Sequence, residues 1–125
     1  MSAPPACYPG RAPIDAYGNG GFRFAGMSHR GSILCLPSGI YAWPPRRAED
    51  IALETLQPAL TEGDALDLLL IGTGRTGVLP ALDLRQGFAE FGVAVEAMDT
   101  GAACRTYNVL LAEARPVAAA LIAVE

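Results

Sequence analysis

The segment Leu66-Asp67-Leu68-Leu69-Leu70-Ile71 is a nearly unbroken apolar run that ends at Gly72-Thr73-Gly74. A strand with one face in water alternates apolar and polar residues, whereas a run without alternation needs cover on both faces. The longest nearly uncharged apolar stretch, Pro116 to Val124, is far short of the roughly 20 residues that a helix needs to cross a bilayer. The rest of the chain must therefore supply layers above and below a central strand. It has the material. Of the 125 residues, 51% are hydrophobic and 18% charged, a balance that excludes disorder for most of the chain.

The residues after Gly72 repeat the same logic. Pro80 suits a first helical position, and Leu84, Phe88 and Phe91 mark one face of a helix that Gly92 caps. Val93 to Met98 reads as a second strand. Ala103, Tyr107, Leu110, Leu111 and Ala114 then form a helical stripe, Arg115-Pro116 ends it, and Val117 to Val124 reads as a last buried strand. Upstream, Glu49 to Thr61 places Leu53, Leu56 and Leu60 at helical spacing, with Pro58 tolerable only in a first turn.

The first half is β-rich. Ile14 to Tyr17, Phe22 to Ala25, Ser32 to Leu36 and Ile40 to Trp43 read as strands, with Gly18-Asn19-Gly20-Gly21 as a turn. The short segment holding Met27-Ser28-His29-Arg30 is predicted as the link of a hairpin between the second and third of these. Residues 1–13, with four prolines and no hydrophobic period, are predicted as a flexible tail, and residues 14–125 as one α/β domain. Strand–helix–strand–helix–strand in the second half predicts helices packed on a largely parallel sheet.

Absent residue types prune the chemistry. All nine basic residues are arginines, so there is no lysine for a Schiff base or a P-loop. His29 is the only histidine, and it is predicted as a solvent-exposed turn residue. No catalytic residues, no metal and no cofactor are expected. The net charge of −4 argues against a nucleic-acid partner. Cys7, Cys35 and Cys104 share no ligand-like spacing and are expected as reduced thiols.

Two constellations stand out. Gly72, Thr73, Gly74, Arg75 and Thr76, with Gly77, spell G-x-G-x-x-G between a strand and a helix, with Glu96 downstream. Pro80 delays the helix beyond the motif, against a dinucleotide site. Two readings stay open: a candidate anion-binding turn of exposed N–H groups, or a tight turn without a ligand. The second constellation is Asp99, Thr100, Cys104, Tyr107 and Asn108. Asp99 or Thr100 suits a helix N-cap, and Cys104 reads either as a packed core thiol or as a thiol activated by Arg105 and the helix terminus.

Tyr17-Gly18, Gly21-Phe22, Gly31-Ser32, Leu36-Pro37, Trp43, Leu70 to Gly74, Asp99-Thr100, Ala103-Cys104, Thr106 to Leu110 and Glu113-x-Arg115 appear in this order and spacing. In these residues the chain resembles a family of small α/β domains that includes mitochondrial complex I assembly factor 3. The resemblance covers residues 14 to 124. It implies three layers: a central mixed sheet flanked by helices, with an additional N-terminal β-hairpin layer. It also implies a non-enzymatic interaction or assembly role with protein partners, among them membrane-complex assembly intermediates. The expected location is cytoplasmic, peripheral to the inner membrane through those partners. The thirteen residues before Ile14 do not resemble a mitochondrial presequence, so a bacterial member is expected.

Overall fold

The computed structural model describes residues 6–125. The chain opens with a meander of three short strands, β1 (Ile14–Gly18), β2 (Gly21–Phe24) and β3 (Met27–Arg30). Both connections are two-residue turns with positive φ at each position: Asn19 and Gly20, then Ala25 and Gly26. This backbone matches the strand twist of a tight hairpin. The segment predicted as a link is therefore itself a strand. Its first turn carries the usual Asn-Gly signal, whereas the second uses an alanine in the left-handed region, which no residue pattern announces.

A second sheet follows. Strands β4 (Ile33–Leu36) and β5 (Gly39–Ala42) form a hairpin, and β6 (Leu68–Gly72), β7 (Ala94–Met98) and β8 (Val117–Leu121) complete five strands. Their order is β5-β4-β8-β6-β7. Strand β6 lies parallel to both β7 and β8, while β4 is antiparallel to β5 and β8. The sheet is mixed rather than largely parallel, because β8 serves as neighbour to a strand of the hairpin.

Three helices flank it: α1 (Gln57–Thr61), α2 (Leu82–Ala89) and α3 (Thr100–Ala112). The helix predicted over Glu49 to Thr61 is broken. Ala48–Asp50 and Leu53–Leu56 form 3-10 turns, and the α-helical part begins only at Gln57, with Pro58 in its first turn. Proline has no N–H and its ring clashes with the preceding turn, so a continuous helix cannot run through it. Helix α2 is also shorter than predicted: Gly92, at φ +76°, ends the turn after it, and Phe91 lies beyond it, about half exposed.

The two crossovers explain the layers. The chain leaves β6 for β7 through α2, then returns past β6 to β8 through α3. Right-handed crossovers in opposite directions place their helices on opposite faces. Strand alternation separates the two cores accordingly. Leu69 and Ile71 pack with Leu34, Trp43, Leu84 and Phe88 on one face. Leu70 packs with Phe22, Phe24, Cys35, Ala103 and Tyr107 on the other, where α3 and the meander complete the cover. Alternating faces of one apolar strand are thus both buried. Leu110 and Leu111 of the predicted stripe are only partly buried, and Ala114 is exposed.

Residues 6–13, expected as part of a tail, instead lie on the domain. Tyr8 bridges Ile40, the Cys7 N–H donates to the Ile40 carbonyl at 2.7 Å, and Ala12 is buried. These contacts add backbone pairing at the β5 edge, which an exposed tail would leave open. The first five residues of the predicted tail lie outside the described residues.

Candidate functional site

The carboxyl ends of β6, β7 and β8 meet at one edge of the sheet, where the chain direction between strands reverses. In open α/β sheets the crevice at such a point accepts ligands. Here Thr100, fully buried, occupies it. Its hydroxyl donates to the Ile122 carbonyl at 2.7 Å and accepts from the Gly74 N–H at 3.0 Å, while its own N–H donates to the Gly74 carbonyl at 2.8 Å. The Ile122 N–H donates in turn to the Gly72 carbonyl at 2.9 Å. One side chain thereby joins the ends of β6 and β8 to the start of α3.

This closeness depends on Gly72. A β-carbon there would lie 3.0 Å from the Thr100 Cα and from Leu121 Cδ2. The glycine of the G-x-G pattern is thus accounted for by close approach of backbone, with no phosphate required. Thr73 is similarly engaged. Its hydroxyl donates to the Thr76 carbonyl at 2.6 Å and accepts from the Val78 N–H at 3.1 Å, and its N–H donates to the Met98 carbonyl at 2.9 Å. Gly74 takes φ +101°. Arg75 is exposed and, among the described residues, reaches only the Glu125 carbonyl, at 3.4 Å. The backbone N–H groups of Arg75, Thr76 and Gly77 find no acceptor among the described residues. Helix α2 starts at Leu82, too far along the chain for its first turn to belong to the motif, which removes the dinucleotide geometry.

The second constellation is spread along α3. Asp99 caps the helix, its Oδ1 accepting from the Ala102 N–H at 2.9 Å. Asn108 serves the meander: its Oδ1 accepts from the Ile14 N–H and its Nδ2 donates to the Ile14 carbonyl, both at 2.8 Å. Tyr107 and Cys104 lie in the core beside Cys35. Burial pushes the Cys104 thiol up to about 12, an effect that Arg105 only partly offsets and Asp99 reinforces. Burial also raises Cys35 and Tyr107. The packed reading of Cys104 therefore matches its setting, since a protonated, covered thiol is a poor nucleophile.

Sequence reasoning missed two contributors at this end. Ser32 is buried, and its Oγ accepts from the Ala123 N–H at 3.0 Å. Tyr17 lies against α3 so closely that a β-carbon at Gly101 would collide with its hydroxyl, so Gly101 was the available signal. His29, predicted as an exposed turn residue, is half-buried on β3 with its Nδ1 3.7 Å from Cys7 Sγ. Outside the crevice, Val78, Leu79 and Leu82 are 44%, 82% and 68% exposed. Val78 and Leu79 border a cavity of about 260 Å³ lined by Ile51, Ile71, Leu84, Pro80 and Glu49 among others.

A mixed sheet between helices, with a meander on one face and a threonine closing its strand ends, defines a small three-layer α/β domain. The chain belongs to the family described as Protein of unknown function (DUF498/DUF598), whose model matches residues 14–122. It is similar to the crystal structure of an outer membrane protein from Bartonella henselae, with a TM-score of 0.91 and 54% identity, covering 94% of this chain and 99% of that one. A solution structure of an Mth938-like domain from Bordetella pertussis matches with a TM-score of 0.80 and 33% identity, covering 98% of this chain and 91% of that one. An uncharacterized protein of Rhodobacter capsulatus is 36% identical over 92% of this chain and 87% of its own length. The NADH dehydrogenase (ubiquinone) 1 alpha subcomplex assembly factor 3 of Xenopus tropicalis is 34% identical over 87% of this chain, which spans 60% of that factor. The human factor is likewise 34% identical over 87% of this chain, which spans 59% of it. Complex I assembly factors are thus members of the same family. Among the described residues, no helix is long and apolar enough to cross a membrane.

Thr100→Val keeps the shape of the side chain but leaves the Gly74 N–H and the Ile122 carbonyl unpaired. It should cost about 2–4 kcal/mol in urea unfolding, since each buried orphan costs roughly 1–3 kcal/mol, whereas Thr100→Ser should lose much less. Equal losses in both variants would mean that the methyl group, not the hydroxyl, matters.

A pH dependence follows from Cys104. Its thiol titrates ordinarily at 9.0 and at about 12 when folded, so between these values the folded state holds a proton that the unfolded state has released. Stability is full below pH 9 and declines as pH rises toward 12. Cys104→Ala should flatten part of that decline in denaturation midpoints, the remainder coming from Cys35 and Tyr107; an identical profile in the variant would assign the whole decline elsewhere.

Proposed function

We propose that this protein is a non-enzymatic interaction module that assists assembly of membrane-associated respiratory complexes, NADH dehydrogenase first among them. It works from the cytoplasmic side, held near the inner membrane by its partners. The observation that carries this reading is the apolar strip of Val78, Leu79 and Leu82. Exposed apolar side chains in contiguous patches mark contact surfaces. Gly77 and Pro80 keep the segment before α2 out of regular structure, so Val78 and Leu79 are presented outward beside a cavity of about 260 Å³.

The occupant this surface fits is an apolar segment of a different polypeptide that carries a basic residue. The cavity lies just below the roughly 300–1,000 Å³ of small-molecule sites and suits a large side chain instead. Among the described residues, Glu49 is its only charged lining residue. Three side chains offer a few hundred Å² at most, well under the roughly 800 Å² per partner of a stable interface, which argues against a permanent dimer through this strip. The assembly factors among the relatives support the same class of work.

In a strain lacking the gene, assembled NADH dehydrogenase on native gels should fall while subunit transcripts stay constant. Wild-type protein should restore it and Leu79→Asp should not, although this exposed substitution changes stability by only about 0.5 kcal/mol. Normal complex in the deletion strain would overturn the assembly role, and full rescue by Leu79→Asp would overturn the docking strip.

A second reading retains Gly72, Thr73, Gly74, Arg75 and Thr76 as a weak anion site. It is favoured by the three N–H groups at residues 75–77 that have no acceptor among the described residues. Amide shifts on sulfate titration confined to residues 72–77, and lost in Arg75→Ala, are its expected sign. Absence of such shifts at tens of millimolar would leave the turn purely structural.

A further inference from the structure

The outer face of the meander carries its own chemistry. Cross-strand partners point to the same side of a sheet. In one row, Ala16 pairs with Arg23 and Arg23 with Ser28; in the next, Gly18 pairs with Gly21 and Gly21 with Arg30. Four of these six positions are Ala, Gly, Gly and Ser. They make a shallow floor over which only two long side chains stand. On the opposite face, Ile14, Phe22 and Phe24 are buried in the core.

Arg23 and Arg30 are diagonal neighbours on this face, a separation of roughly 7–8 Å at which long side chains reach a common point. Both are exposed. Neither has a carboxylate within ion-pairing distance among the described residues, where the only ion pairs involve Arg47. This is notable in a chain with thirteen acidic residues against nine basic ones. The cavity above the floor measures about 470 Å³, and no Asp or Glu lines it. That volume lies within the roughly 300–1,000 Å³ of small-molecule sites. The side chains of Arg23, Ser28 and Arg30 make no hydrogen bond to the protein among the described residues, so their donors are free for a ligand.

We propose that this basin is a binding site for a phosphate group, clamped between the guanidinium groups of Arg23 and Arg30 with the Ser28 hydroxyl as a further donor. Two planar forks match the oxygens of a dianion better than they match a single carboxylate. Like charges set side by side on a sheet repel, and a bound dianion converts that repulsion into attraction to a shared partner. Two arginines are fewer than the roughly four to eight basic residues that hold a protein to an anionic membrane, so the geometry points to a discrete phosphate rather than a lipid surface. The site lies on the meander, shares no lining residue with the cavity beside the apolar strip, and does not depend on the assembly role.

Inorganic phosphate, titrated against chloride at constant ionic strength, supplies the test. Amide spectra of the full chain should show saturable shifts at Gly18, Gly21, Arg23, Ser28 and Arg30. Arg23→Gln and Arg30→Gln should each weaken binding about tenfold, a factor that corresponds to about 1.4 kcal/mol. The double variant should abolish saturation, whereas Arg75→Gln should leave it intact. Both positions are exposed, so unchanged spectra of the free variants confirm their fold. Shifts that stay linear to tens of millimolar, or that fall only at residues 72–77, would overturn the site. Co-sedimentation with phosphatidic acid vesicles without saturable phosphate shifts would reassign the face to a membrane and overturn it equally.

Discussion

The hydroxyl of Thr100 is the constraint on which the strand-end architecture rests. It sits where two parallel strands end and a helix begins, and it is bonded to both strands at once. Chains of this topology commonly leave that point open for a ligand. Here the protein fills the crevice with its own side chain. Every other feature at this edge is arranged around that choice. Gly72 has no side chain so that α3 can approach, Gly74 turns through positive φ to present its N–H, and Asp99 caps the helix immediately before.

The two faces of the sheet are finished by different means. One face is covered by α2 and a broken run of short turns, with Trp43 tied to the Thr55 carbonyl at 2.8 Å. The other is covered by α3 and by a second sheet that shares no ladder with the first. Alanines at 118, 119 and 120 in β8 are fully buried. Small side chains in a central strand let the layers on both sides come close. Density is then gained through Phe88 and Trp43 on one side and Phe24 and Tyr107 on the other.

What was legible in the residues follows from how local each signal was. The apolar run ending at Ile71 and the Asp99 cap are written in neighbouring residues, and the structure has both; of the α3 stripe, Ala103 and Tyr107 are buried while Leu110 and Leu111 are only partly so. The mixed sheet and the extra layer follow from the resemblance, whereas periodicity alone reads the sheet as largely parallel. Strand β3 escaped because Met27-Ser28-His29-Arg30 has no apolar alternation and is entered through an alanine with positive φ. The role of Gly72 escaped for a different reason: its partner, Thr100, is distant in sequence, and a glycine that makes room for a threonine looks the same as one that makes room for a phosphate. Nothing in the order of residues links His29 to Cys7, and only the fold brings them together.

Asn108 has a further consequence. By giving Ile14 both a donor and an acceptor, its amide imitates one residue of a neighbouring strand at the outer edge of β1. That edge can no longer recruit another chain at this point, which removes one route to aggregation that a small exposed sheet otherwise carries. The same pair of bonds also ties the meander to α3. The meander, held together by short ladders, cannot peel away at Ile14 without breaking its grip on the longest helix of the domain. Sheet and helix should therefore open together as one cooperative unit, and the amide of Ile14 belongs energetically to α3 rather than to the strand in which it lies.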